Sequence, residues 1–197
     1  MRKFIFIVLL LMTIILNKVL SQTNYVGIGY RSLAPITSIS NYFKKTSLND
    51  VNINQGYFPY FLFFHTNKYA NLTFKTGYVF FDQLEKIKVY NGNNIILSYK
   101  HHAFPFIIGA QKRLIKSEIL DIGLMFDLGL YIFSEKYSES TGNSTNSNKQ
   151  YIGYNCGISF ASRKIRLFDR ITFFISYQQI YNYKFKTFTI DIPFIKL

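Results

Sequence analysis

The residues able to do chemistry in this chain are few. The histidines are His65, His101 and His102, the single cysteine is Cys156, and Asp121 and Asp127 stand close together in ILDIGLMFDLGLYI. Hydrolysis of an ester or amide needs a nucleophile, a base and an orienting carboxylate within hydrogen-bond reach. His65 and His101 are expected near one rim of the fold, but no His-x-Ser or Gly-x-Ser-x-Gly motif accompanies them. His101 and His102 do not make a metal pair, because adjacent residues of a strand point to opposite faces. One cysteine excludes an internal disulfide framework. The expectation is a chain with no catalytic, cofactor-binding or metal residues, and therefore not an enzyme.

The other charged candidates are Arg31, Lys75 and Arg113, and what places them is the pattern around them. Between Ile119 and Ile132 the even positions Leu120, Ile122, Leu124, Phe126, Leu128, Leu130 and Ile132 are all apolar. The odd positions Asp121, Gly123, Met125, Asp127, Gly129 and Tyr131 are mostly small or polar. Such long period-two alternation suits a transmembrane β-strand, which needs about 9–11 tilted residues with apolar side chains toward lipid. Similar faces recur in Asn24–Leu33, Asn71–Asp82, His101–Leu114, Tyr151–Ala161, Arg170–Tyr181 and Tyr183–Leu197. Gly56–Thr66 is aromatic on both faces and carries Pro59, which is tolerated at a strand end or irregularity. In this register Arg31, Lys75, Arg113, Asp121 and Asp127 share the glycine-rich face, where they are expected to pair as a structural ion network that plugs a narrow lumen.

Eight strands follow, joined alternately by short turns and longer connections, the last turn also being short. That predicts an all-β, eight-stranded antiparallel up-and-down transmembrane barrel. The first strand must pair with the last, since only closed barrels and helices satisfy every backbone group in lipid. A soluble cup of the same size would place its large apolar residues inside and show Lys and Glu outside. Among the connections, Gln83–Lys100 contains Asn91-Gly92 and reads as a projecting hairpin. Ser134–Gln150, the most hydrophilic stretch, is expected to be a mobile loop.

The N-terminus fits an export signal. Arg2 and Lys3 precede the apolar run Phe4–Leu16, and Val19 and Ser21 suit cleavage after Ser21. Residues 1–21 are thus expected to be a signal peptide and 22–197 the barrel. Without Arg2, Lys3 and Lys18, 20 basic residues remain against 10 acidic ones. Export argues against nucleic acid as the partner of this positive charge, which suits anionic headgroups and lipopolysaccharide phosphates instead.

Taken together, these features resemble the small outer-membrane barrels of the OmpA transmembrane-domain and OmpX type. The proline-bearing strands FPYFLFF and FPFIIGAQKRL are similar to those of the outer-membrane β-barrel domain proteins of Bacteroidota, a set that includes PorT-like barrels. The resemblance implies a porin-family barrel in the bacterial outer membrane, and the expectation is a monomeric, non-enzymatic one that is structural or binds a protein partner through its long extracellular loops and the projecting hairpin 83–100. Two alternatives stand beside it: a lipid A-modifying or other membrane-embedded hydrolase, and an accessory barrel of a secretion system.

Overall fold

The computed structural model describes residues 24–36, 55–66, 70–82, 84–90, 93–117, 119–162, 171–181 and 183–197. The expected signal peptide, most of the connection after Ala34, the Asn91-Gly92 turn and the basic turn at 163–170 lie outside the described residues. The strands are β1 (Asn24–Pro35), β2 (Gly56–Thr66), β3 (Asn71–Gly77), β4 (Val79–Phe81), β5 (Leu84–Tyr90), β6 (Asn93–Ile115), β7 (Leu120–Glu139), β8 (Ser144–Ser162), β9 (Ile171–Ile180) and β10 (Tyr183–Lys196). All pairings are antiparallel, and β1 pairs with both β2 and β10, which closes the sheet into a barrel.

The described wall has eight strands, because β3 and β4 are one strand interrupted at Tyr78 and β5, among the described strands, pairs with β6 alone. The interruption has a physical cause. Pro59 of β2 and Pro105 of β6 flank it, and neither has an N–H to donate. Tyr78 N instead donates to the Pro59 carbonyl, and Thr76 Oγ1 to the Pro105 carbonyl.

The barrel is strongly tilted. One row of register partners can be followed once around the ring: Tyr25, Phe64, Thr73, Gly109, Asp127, Asn155, Gln178, Phe185 and back to β1 at Pro35. The path returns ten residues higher on β1 than it began, 35 against 25. With about 3.3 Å per residue and about 4.7 Å between strands, that stagger corresponds to a tilt of about 40°.

The apolar faces point outward. Leu124, Phe126 and Leu128 of β7 are all about half exposed, while Asp121, Met125, Asp127 and Tyr131 between them are buried. Outward apolar positions run from Leu120 to Ile132, about 40 Å of strand and, at that tilt, about 30 Å of height, comparable with the ~25 Å apolar band of membrane barrels. Above Ile132 the outward positions become Ser134, Lys136 and Ser138. Neighbouring tyrosines also pack on the wall, Tyr30 against Tyr57 and Tyr154 against Tyr177. The fold is an eight-stranded antiparallel up-and-down barrel of the transmembrane kind.

Two expectations need correction. Ser134–Gln150 is not a loop: β7 and β8 continue as a paired ladder to Ser138↔Ser144, with a tight turn between them. With β5 and the first part of β6 they form a four-stranded sheet standing above the barrel on one side. The lumen, too, is not filled mainly by glycine and polar groups. Phe58, Phe81, Phe133, Tyr183 and Phe185 form an aromatic cluster in its loop-side half, which is why β2 is aromatic on both faces.

The outward belt yields a direct test. Leu128→Arg places a charge near mid-belt and is expected to cost about 2–4 kcal/mol, whereas Asn148→Arg in the projecting sheet costs within about 0.5 kcal/mol. Urea titration of the barrel folded in lipid vesicles measures both, and equal effects would contradict the lipid-facing assignment.

Candidate functional site

The most concentrated chemistry lies in the sealed middle of the lumen. β1 supplies Arg31, β2 Tyr60, β3 Lys75, β7 Asp127 and Tyr131, β8 Asn155, β9 Gln178, and β10 Thr189 and Asp191. Each side chain sits at an inward position of its strand, so period-two alternation alone delivers all of them to one space. Arg31, Lys75, Asp127 and Asp191 are at most 2% exposed.

Asp127 is the hub. Its Oδ2 accepts from Arg31 Nη2 at 2.5 Å, from Lys75 Nζ at 3.2 Å and from Asn155 Nδ2 at 3.2 Å, while Oδ1 takes a second 3.2 Å contact from Lys75. The remaining Arg31 donors reach Thr189 Oγ1 at 3.1 Å and Gln178 Oε1 at 3.0 Å. Gln178 Nε2 in turn donates to the Tyr131 hydroxyl at 2.8 Å. Lys75 Nζ lies 3.8 Å from Asp191 Oδ2, and the Tyr60 hydroxyl donates to Asp191 Oδ1. Two basic side chains thus face two carboxyl groups.

Close approach of backbone makes room for it. The Tyr60 ring occupies the space a Cβ at Gly29 would fill, and the Asp127 carboxylate sits in the corresponding space at Gly109. Aromatic faces close the surroundings: Lys75 Nζ lies 5.3 Å from the Phe174 ring centre and 5.9 Å from that of Tyr60, and the Arg31 guanidinium 5.9 Å from Phe58.

The five charges picked from the sequence are not brought together. Arg31, Lys75 and Asp127 meet in the centre. Arg113 and Asp121 form a separate pair near the short-turn end, Nε to Oδ2 at 3.0 Å, with the arginine side chain 34% exposed. Asp191 belongs to the central cluster and escaped the sequence reading, although its place between outward Ile190 and Ile192 marks it as inward. Tyr60, Asn155 and Gln178 escaped because neutral polar residues on an inward face carry no charge signal.

The histidines are corrected as well. His65 sits at the short-turn end, where Nδ1 lies 2.8 Å from Asn24 Oδ1. His101 pairs in register with Glu135 at the loop end and stacks on Tyr99. His65 is level with Leu72, and Leu72 with Ala110, so about 30 Å of strand separates the two rings. They cannot share a substrate. Burial lowers the pKa of His101, with Glu135 opposing, and Glu135 Oε2 accepts from Lys149 Nζ at 2.8 Å. Among the described residues no three His, Cys, Asp or Glu side chains gather as a metal site.

No family model and no curated protein matches the chain. Among solved structures, one similar to it is Ail, the attachment invasion locus protein of Yersinia pestis, in complex with the heparin analogue sucrose octasulfate. The identity is 14% and the TM-score 0.47, over 89% of this chain and 99% of that one. Another is Neisserial surface protein A, NspA, at 8% identity and TM-score 0.44, over 87% of this chain and 97% of that one.

The two ion groups separate by experiment. Asp127→Asn removes the carboxylate that Arg31 and Lys75 share in the buried interior and is expected to cost about 3–5 kcal/mol. Asp121→Asn costs about 1 kcal/mol or less, because Arg113 reaches solvent. Urea midpoints in vesicles read both, and equal losses would remove the distinction between core and rim.

Proposed function

We propose that this protein is a non-enzymatic integral barrel of the bacterial outer membrane, closed through its centre, that presents its tall β5–β8 sheet to a protein partner. The observation that carries the reading is the combination of an apolar belt with a solid interior. A barrel whose lumen is occupied by an ion cluster and an aromatic cluster offers no wide path for solute. The residues Arg31, Lys75 and Asp127, with Asp191, serve in this reading as a structural plug, and Arg113–Asp121 as a tether at the short-turn rim.

What remains for interaction is the projecting sheet. Among the described strands, β5 pairs with β6 alone, and β8 above Gly153 pairs with β7 alone. On the outward side of β5 and its neighbour, Ile87, Val89 and Ile96 are 64%, 67% and 45% exposed. An edge with an apolar flank above the lipid belt suits strand addition by an extended partner segment. An accessory barrel of a secretion machine, including one of the PorT-like type, is one such partner-bound role. The hydrolase alternative loses support from the distance between His65 and His101.

Three measurements test the proposal. The protein is expected in an outer-membrane fraction, with heat-modifiable migration on electrophoresis. Planar-bilayer recording is expected to show no large stable conductance, and such conductance would overturn the plug. Mass spectrometry of lipids from cells lacking the protein is expected to match the parent, and an altered lipid A or phospholipid profile would favour the hydrolase.

A further inference from the structure

The outer wall carries a depression that a smooth membrane barrel does not need. It has a volume of about 530 Å³ and is lined by outward residues of β6, β7 and β8, chiefly Ala110, Leu124, Phe126, Cys156 and Ile158, with Lys112 at its edge. The register explains its shape. Ala110, Phe126 and Cys156 form one row across the three strands, and Lys112, Leu124 and Ile158 the next row toward the short-turn end. Ala110 and Cys156 are the small members on either side of Phe126, at a level where Ile108, Leu124, Leu128 and Ile158 fill the neighbouring outward positions. Two short side chains flanking a large ring leave a groove.

Its floor and walls are apolar, and its single charge is well placed. Lys112 is exposed and outward, on the short-turn side of the apolar row, where a lysine stem can lie along the wall and carry its ammonium to the headgroup layer. The exposed Lys116 in the adjoining turn adds a second positive charge at the same end. We infer that the groove holds one acyl chain of an anionic glycerophospholipid of the short-turn-side leaflet, with its phosphate on Lys112. The inference rests on the membrane reading given above. A lipid tail is already in an apolar medium in the bilayer, so burying it here brings no hydrophobic gain. Selection must come from the lysine–phosphate contact and from the fit of the chain between Ala110, Phe126 and Cys156.

Native mass spectrometry of the full-length, detergent-folded barrel tests this with two probes, phosphatidylglycerol and a diacylglycerol bearing the same chains but no phosphate. The wild type is expected to retain one phosphatidylglycerol in preference to diacylglycerol. Lys112→Ala is expected to weaken phosphatidylglycerol retention about fivefold, as befits one lysine near an anionic headgroup, and to leave diacylglycerol unchanged. Ala110→Phe, which fills the groove, is expected to lose retention of both. Ile28→Phe, on the opposite wall, should behave as wild type. Equal retention by Ala110→Phe and Ile28→Phe, or no effect of Lys112→Ala, would overturn the groove. Heat-modifiable migration of each preparation is read in parallel. A barrel that migrates as folded but shows no preference defeats this inference alone, whereas a chain that never inserts into lipid defeats the membrane reading beneath it.

Discussion

In hydrocarbon there is no water to take up a stray N–H or carbonyl, and the rest of this structure follows from meeting that constraint. The decisive contact is therefore main-chain: β1 hydrogen-bonds to β10 on one side and β2 on the other, leaving the wall without an edge. The prolines obey the same requirement. Pro59 and Pro105 meet at one interruption in the ladder, so their missing donors are confined to a single place where Tyr78 N and Thr76 Oγ1 redirect the nearby bonding. Where the belt ends the requirement lapses, and β5 keeps only one described partner.

Closure with a ten-residue stagger fixes what the interior can be. A ring of eight strands leaves space for little more than side chains, and strong tilt brings together residues that are far apart along any hydrogen-bonded row. Arg31 lies in a different row from Asp127, yet its guanidinium reaches that carboxylate across the lumen. Sealing charges in such a space is costly unless each is matched and bonded. Here the matching is nearly complete, with amide, hydroxyl and aromatic neighbours taking up most of what the ion pairs leave. Arg113, lying nearer the end, keeps part of its side chain in solvent and needs only Asp121.

The strand count, the faces and the inward placement of the five charges were legible in the sequence, because alternation between lipid and lumen writes a strong contrast into β1, β7 and β8. Legibility failed where that contrast is absent. In β2 both sides are apolar, one toward lipid and one toward the aromatic cluster, so Phe58, Tyr60, Leu62 and Phe64 give no clean period. In the β7–β8 extension both sides are polar, so a main-chain ladder continues through SEKYSESTGNSTNSNKQ with no hydrophobic signature. The partition of the charges was invisible for another reason. Which carboxylate meets which cation depends on the stagger around the ring, and the stagger is a property of all eight pairings together.

That stagger is an even number, so a path around the wall that starts on a lumen-facing residue also ends on one. The wall behaves like a text with a reading frame of two. Gain or loss of a single residue inside a strand would exchange lumen and lipid for every side chain beyond it, converting Asp127 or Lys75 into a charge in hydrocarbon. The register shifts among the described strands, between Val26 and Gly27 and between Arg113 and Ile115, sit close to strand ends, with few residues on their outer side. Gain or loss of residues is therefore best tolerated in the turns and in the tall sheet. The part of the molecule that stands outside the lipid belt is also the part free to be rewritten.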